Sequence, residues 1–208
     1  MPIKQNEREY RMLCAIECRS TDDDSMIVEG YATTFGEPYE LYSYGDYTVR
    51  EQVDAKAFDG CDMSDVIMQY DHTGKVLART RNNTLTLSVD EHGLKIRADL
   101  SGTEAARQLY QEIKGGFIDR MSFAFSIQED KREITNDKET GKTDVLRTIM
   151  RFKKLYDVSA VSTPANDSTE ISARAYCDGV ITEAEAERLR ALDIAKRKLK
   201  LKIKIMEG

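Results

Sequence analysis

The sequence predicts an α+β fold with a mostly antiparallel, barrel-like β core, a few flanking helices and a C-terminal helix. Three observations predict it. Seven or more short runs are rich in β-branched and aromatic residues and are bounded by turn formers. Only two or three segments carry helical patterning with capping signals. Strands and helices do not alternate regularly, which argues against a doubly wound parallel sheet. At 208 residues the chain makes one domain, or one domain with a short appendage. That length buries a core without disulfides or a structural metal.

The elements follow in order. Glu9 to Arg19 mixes apolar and polar residues in the manner of a first strand, and Met26 to Phe35 reads as a second. Gly36, Glu37 and Pro38 break it. Leu41 to Val53 is Tyr- and Val-rich, with a turn at Gly45-Asp46. Asp54 to Asp59 suits one helical turn with Asp54 as N-cap. Asp65 to Tyr70 reads as a buried strand ending at Asp71-His72-Thr73-Gly74. The clearest hairpin pairs Asn83–Val89 with Leu94–Leu100, since Leu85, Leu87 and Val89 alternate with polar residues and face a similar alternation. Ser101 and Glu104 have capping-box spacing, and a helix through Lys114 should stop at Gly115-Gly116. Phe117 to Gln128 is a strand, and the polar stretch from Asp130 to Thr143 reads as a long hairpin loop. Val145–Lys153 and Leu155–Ser162 are two further strands, and Thr163-Pro164-Ala165-Asn166 ends the β region. Thr182 and Glu185 form a second capping box, opening a helix to about Lys198.

Composition excludes several classes. Lys and Arg number 31 against 37 Asp and Glu, a net charge of −6, which does not suit a dedicated DNA-binding module. No apolar run approaches the roughly 18 residues of a membrane helix, and no secretory signal pattern opens the sequence. Two histidines are too few for a His-rich metal site, and Cys14 and Cys18 lack a second pair at zinc spacing. The cysteines read as reduced thiols of a cytosolic compartment. Six of the nine residues from Lys196 to Lys204 are basic. This end is either a solvated amphipathic segment or an arm for an acidic partner, a shell protein or nucleic acid.

Three residues stand out chemically. In Arg120-Met-Ser-Phe-Ala-Phe-Ser126, strand alternation puts Ser122 on a small polar face and Met121, Phe123 and Phe125 on a large apolar one. That pattern describes an ordinary half-exposed strand or a nucleophilic serine braced from behind. His72 ends a buried strand, and an imidazole with an unperturbed pKa of about 6.5 suits proton shuttling near neutral pH. Asp157 shares a strand face with Ser159 and either meets solvent or orients another group. His92, at a hairpin tip, is the other candidate for a third member.

The order and local wording of these residues carry a resemblance. Glu29-Gly-Tyr-Ala32 with Phe35, a His after an apolar strand, a helix ending in Gly-Gly, Met-Ser-Phe-Ala-Phe, and Asp-Val-Ser-Ala-Val with Thr163-Pro-Ala-Asn166 resemble the prohead maturation serine proteases of tailed bacteriophages, relatives of the herpesvirus assemblins. The resemblance implies a herpesvirus-protease-like fold. It makes residues 1–170 a protease domain, and leaves 171–208 as a helical, charge-segregated appendage. It implies a serine endopeptidase in which Ser122 is the nucleophile and His72 the general base. Asp157 would orient the imidazole where the family commonly has Glu, with His92 the alternative. Backbone N–H groups would form the oxyanion hole. No cofactor or metal is expected. Expected partners are the major capsid protein precursor with its scaffold segment and the protease itself, inside a procapsid in the host cytoplasm. The alternative is a non-catalytic scaffolding or capsid-binding protein of the same fold.

Overall fold

The computed structural model describes residues 8–18, 25–137, 139–162 and 167–206. Its strands are β1 (Glu9–Cys18), β2 (Ile27–Thr34), β3 (Tyr39–Tyr44), β4 (Tyr47–Val53), β5 (Ile67–Tyr70), β6 (Thr73–Arg79), β7 (Leu85–Val89), β8 (Gly93–Asp99), β9 (Arg120–Asn136) and β10 (Thr143–Val161). Helix α1 spans Glu104–Lys114 and α2 spans Asp167–Met206. The strands form one sheet in the order β3-β4-β10-β9-β1-β2-β8-β7, with β5 also on β10 and β6 on β5. Every neighbour pair is antiparallel except β10 with β4 and β10 with β5. The mostly antiparallel α+β expectation therefore holds. The ladder does not close on itself, however: among the described residues β3 and β7 are its free ends.

β10 organises the sheet. Its first half pairs with β4, from Thr143 opposite Tyr47 to Ile149 opposite Val53, and its second half pairs with β5. Along its other edge runs β9, with Ser159 opposite Ser122 and Asp157 opposite Ala124. The expectation of two strands separated near Lys153 is corrected: β10 is continuous over 19 residues. The irregularities at Phe152/Lys154 and Leu155/Asp157 are bulges within it, which bend a strand without ending it. The expected Asp130–Thr143 loop is also shorter than its polarity suggests. β9 continues to Asn136, pairing Ile134 with Val145. Among the described residues β9 pairs in this stretch with β10 alone, and most of its side chains from Gln128 to Asn136 are exposed, where polar residues belong.

Other local readings resolve by hydrogen bonds. Asp54–Asp59 is a chain of turns rather than a helical turn, with Ala57 N–H donating to Asp54 O, Asp59 N–H to Lys56 O and Cys61 N–H to Phe58 O. The α1 cap is Thr103, not Ser101: Thr103 Oγ1 accepts from Ala106 N–H at 3.2 Å. The stop at Gly115-Gly116 is as expected. Gly116 takes φ +73°, which lets Phe117 N–H reach Glu112 O and Gly116 N–H reach Ile113 O, a Schellman ending. Ala106, Leu109, Tyr110 and Ile113 face the core, as their spacing predicts. Thr182 does not open a helix, because α2 is already helical from Asp167. Residues 163–166 and the side chains of Cys14 and Cys18 lie outside the described set.

The main core packs Phe58, Phe123, Phe125 and Phe152 against one another, with Met68, Leu94, Ile96 and Leu100 fully buried around them. A second, smaller cluster seats α2 on the sheet through Cys177, Val49 and Val145. Beyond Glu187 every residue of α2 whose exposure is described is exposed.

A buried ionic network ties four strands together. Glu51 on β4 is fully buried and accepts from Arg11 Nε at 2.6 Å and Arg147 Nη1 at 2.9 Å. Tyr39 Oη donates to the same carboxylate at 2.5 Å. Arg147 also holds Asp130 at 2.7 Å and Glu9 at 2.9 Å, so β1, β4, β9 and β10 are cross-linked by charge. Burial alone pushes the Glu51 carboxyl up. The guanidinium groups of Arg11 and Arg147, with hydrogen bonds from Arg11 and Tyr39, outweigh it and hold the group at about 2.

Candidate active site

Three adjacent strands, β9, β10 and β5, converge on one set of side chains. Ser122 lies near the start of β9, between Met12 of β1 and Ser159 of β10 in the backbone register. Residues Met121 to Ser126 are all buried, so β9 is covered on both faces here and is not the half-exposed strand its pattern allows. Ser122 itself is 2% exposed. Phe123 and Phe125 fix the backbone from the core side, and the small residues Ser122 and Ala124 lie on the other, also buried, face.

His72 is delivered by a two-residue hairpin turn between β5 and β6, with Tyr70 opposite Thr73. Asp71 and His72 have φ of 47° and 58°, and positive φ at both central residues is the requirement of a type I′ turn. Such turns favour Asn-Gly. A side chain as large as His is less usual there, and each non-glycine residue in this region costs about 1–3 kcal/mol. Asp71 anchors the turn to the end of β10. Its carboxylate accepts from Ser162 N–H at 3.0 Å and Ser162 Oγ at 2.9 Å, and its own N–H donates to Ala160 O at 2.9 Å.

The turn aims the imidazole between the other two residues. His72 Nε2 lies 2.6 Å from Ser122 Oγ, and Nδ1 lies 2.5 Å from Asp157 Oδ1. Asp157 is fully buried on β10, just past a bulge, and Ser159 Oγ donates to its Oδ1 at 2.8 Å. Its other oxygen, Oδ2, accepts from Arg8. The Tyr10 ring meets His72 edge-on, with centroids 4.7 Å apart. An ionised carboxylate only accepts hydrogen bonds, so it places the imidazole proton on Nδ1. That leaves the Nε2 lone pair for the Ser122 hydroxyl. The arrangement suits proton transfer from a serine oxygen to an imidazole steadied from behind.

The structure thus brings together Ser122, His72 and Asp157 and leaves His92 elsewhere. His92 sits in the β7–β8 turn, its ring edge-on to Tyr31 at 4.6 Å and its N–H on Asp90 Oδ1 at 2.9 Å. Sequence reasoning missed Arg8, Tyr10 and the Ser162 anchor. Ser159 was visible in part, as the residue sharing a strand face with Asp157. Nothing in the local sequence of Arg8 marks it, because its role depends on where β1 joins the sheet.

Comparison with known proteins gives these side chains a context. The family model described as caudovirus prohead serine protease matches residues 14–179, which include Ser122, His72 and Asp157. The chain is 30% identical over 103 residues to the prohead protease of Enterobacteria phage HK97, a match covering 49% of this chain and 42% of that protein. It therefore spans less than half the length of that relative. No solved structure matches. A family match over most of the chain, holding all three hydrogen-bonded residues, shows that the chain belongs to the caudovirus prohead serine protease family.

Proposed function

We propose that the chain is a serine endopeptidase of prohead maturation that cleaves the major capsid protein precursor, with its scaffold segment, and itself. The observation that carries the proposal is the hydrogen-bonded chain from Ser122 through His72 to Asp157. Ser122 Oγ attacks the scissile carbonyl while its proton passes to His72 Nε2. The imidazolium, steadied by Asp157, then gives that proton to the leaving amine. Water repeats the sequence in reverse to free the acyl group. Asp in place of the family's common Glu is no obstacle, since the shorter side chain reaches Nδ1 at 2.5 Å.

The proposed setting is the assembling procapsid in the host. Among the described residues, no helix is long and apolar enough to cross a membrane. We read residues 1–170 as the protease domain, related in fold to the herpesvirus proteases though with an open sheet. Residues 171–208 then form a helical appendage. The test is incubation of wild type, Ser122→Ala and His72→Ala with the matching capsid precursor. Cleavage by wild type, and loss of about 10⁴-fold or more in both variants, supports the reading. Equal behaviour of all three would instead favour a non-catalytic scaffolding or capsid-binding role.

A further inference from the structure

We infer that Arg8 is a positioning residue of the catalytic group, holding Asp157 from the side opposite His72 and setting how readily the imidazole is protonated. The inference rests on the serine-protease reading above. Arg8 lies outside the residues matched by the family model, just ahead of β1.

Three contacts build its seat. Arg8 Nη2 donates to Asp157 Oδ2, the oxygen that His72 and Ser159 do not use. Its guanidinium lies 5.2 Å from the Tyr10 ring centre and 4.8 Å from that of Tyr156, so two aromatic faces hold it. Tyr10 also touches His72, so one side chain spans the cation and the base. The carboxylate is engaged on both oxygens, which keeps Oδ1 aimed at Nδ1.

The electrostatic consequence has a definite sign. A carboxylate facing only an imidazole favours the protonated ring, and a cation on the far oxygen opposes that. Among the described side chains, the groups around the pair are Arg8 ahead of β1, Tyr10 on β1, Tyr156 on β10, Lys154 beyond the Tyr156 ring, and Asp71 on the turn. Lys154 is already paired with Asp62 at 2.8 Å, and Asp71 is committed to Ser162. Among the described residues, Arg8 is therefore the cation in contact with the Asp157 carboxylate. Its side chain is 39% exposed, so solvent weakens its effect.

The test is the rate of Ser122 phosphonylation by a fluorophosphonate probe across pH 5 to 9, using the full chain. Wild type should react through Ser122 with a rate that falls at acid pH as the base is protonated. In Arg8→Met the acid limb should move to higher pH by about half to one unit. Labelling near pH 6 should then slow by about 3- to 10-fold, and the gap should narrow towards pH 9. Arg8→Lys should restore most of the wild-type profile. Superimposed profiles for wild type and Arg8→Met overturn the inference while leaving the protease reading intact. So does an equal loss at every pH that Lys does not rescue, which marks a merely structural role. A wild type that is not labelled at Ser122 overturns both.

Discussion

Replacing Glu51 by Gln removes one charge from the ionic network without changing its shape. In the wild type the carboxyl is held at about 2 against an ordinary 4.5. That difference is worth roughly 3 kcal/mol of folding stability at neutral pH. After the substitution Arg11 and Arg147, each only 3–4% exposed, keep the contacts with Glu9 and Asp130. Breaking a buried ion pair from one side costs about 3–5 kcal/mol, and the surviving partners favour the lower end. For a chain of this size the thermal midpoint should fall by about 10 °C at pH 7. The pH dependence follows from the sign. The folded state holds the carboxyl below its unfolded value, so its contribution is complete above about 4.5 and is lost as pH falls towards about 2. Wild type and Glu51→Gln should therefore converge in stability between those limits. Thermal and urea unfolding at pH 7, 4 and 3 measure this. A midpoint within about 2 °C of wild type at pH 7 would refute the reasoning, as would a gap that stays constant down to pH 3.

Two further outcomes follow from the geometry. Asp157→Ala should slow cleavage of the capsid precursor by about 10³- to 10⁴-fold, while His92→Ala, whose ring packs on Tyr31, should change it less than about threefold. Steady-state proteolysis measures both, and the opposite ranking would move the third role to His92. Truncation after Ala195 removes only exposed positions among the described side chains, so the thermal midpoint should stay within about 2 °C. A large fall would show that the basic end packs on the body.

Much of the fold was legible because local signals agreed with it. The β7–β8 hairpin follows from alternation around a four-residue turn, and α1 from its apolar stripe and its Gly-Gly ending. The misreadings have physical causes. β6 was hidden because Thr73 to Lys75 lack apolar side chains and, with Val76, are exposed, the mark of an edge strand, which among the described residues pairs with β5 alone. Lys153-Lys154 looks like a break because a bulge puts adjacent residues out of alternation, and no local pattern separates a bulge from a turn. The distal arm of β9 looks like a loop because its residues are mostly polar and exposed. Ser122, His72 and Asp157 could be picked out by residue type and wording, but not joined. They meet only through the register of β9, β10 and β5, which is set by packing across the whole sheet. The seat of Arg8 depends on that same assembly and left no trace in sequence.

The placement of β5 on β10 has a consequence for when Ser122, His72 and Asp157 come together. Ser122 and Asp157 belong to one long hairpin and can meet as soon as it zips. His72 arrives separately, on a strand that joins β10 in parallel and lies 85 residues away from Asp157 along the chain. Parallel pairing at such separation forms slowly, because a long loop must close before any contact rewards it. During synthesis the serine emerges well before its acid, and the base has nothing to dock on until the end of β10 has been made. On the serine-protease reading proposed above, nucleophilic power is thus a late product of folding, because Ser122, His72 and Asp157 are joined only once β5 has paired with β10.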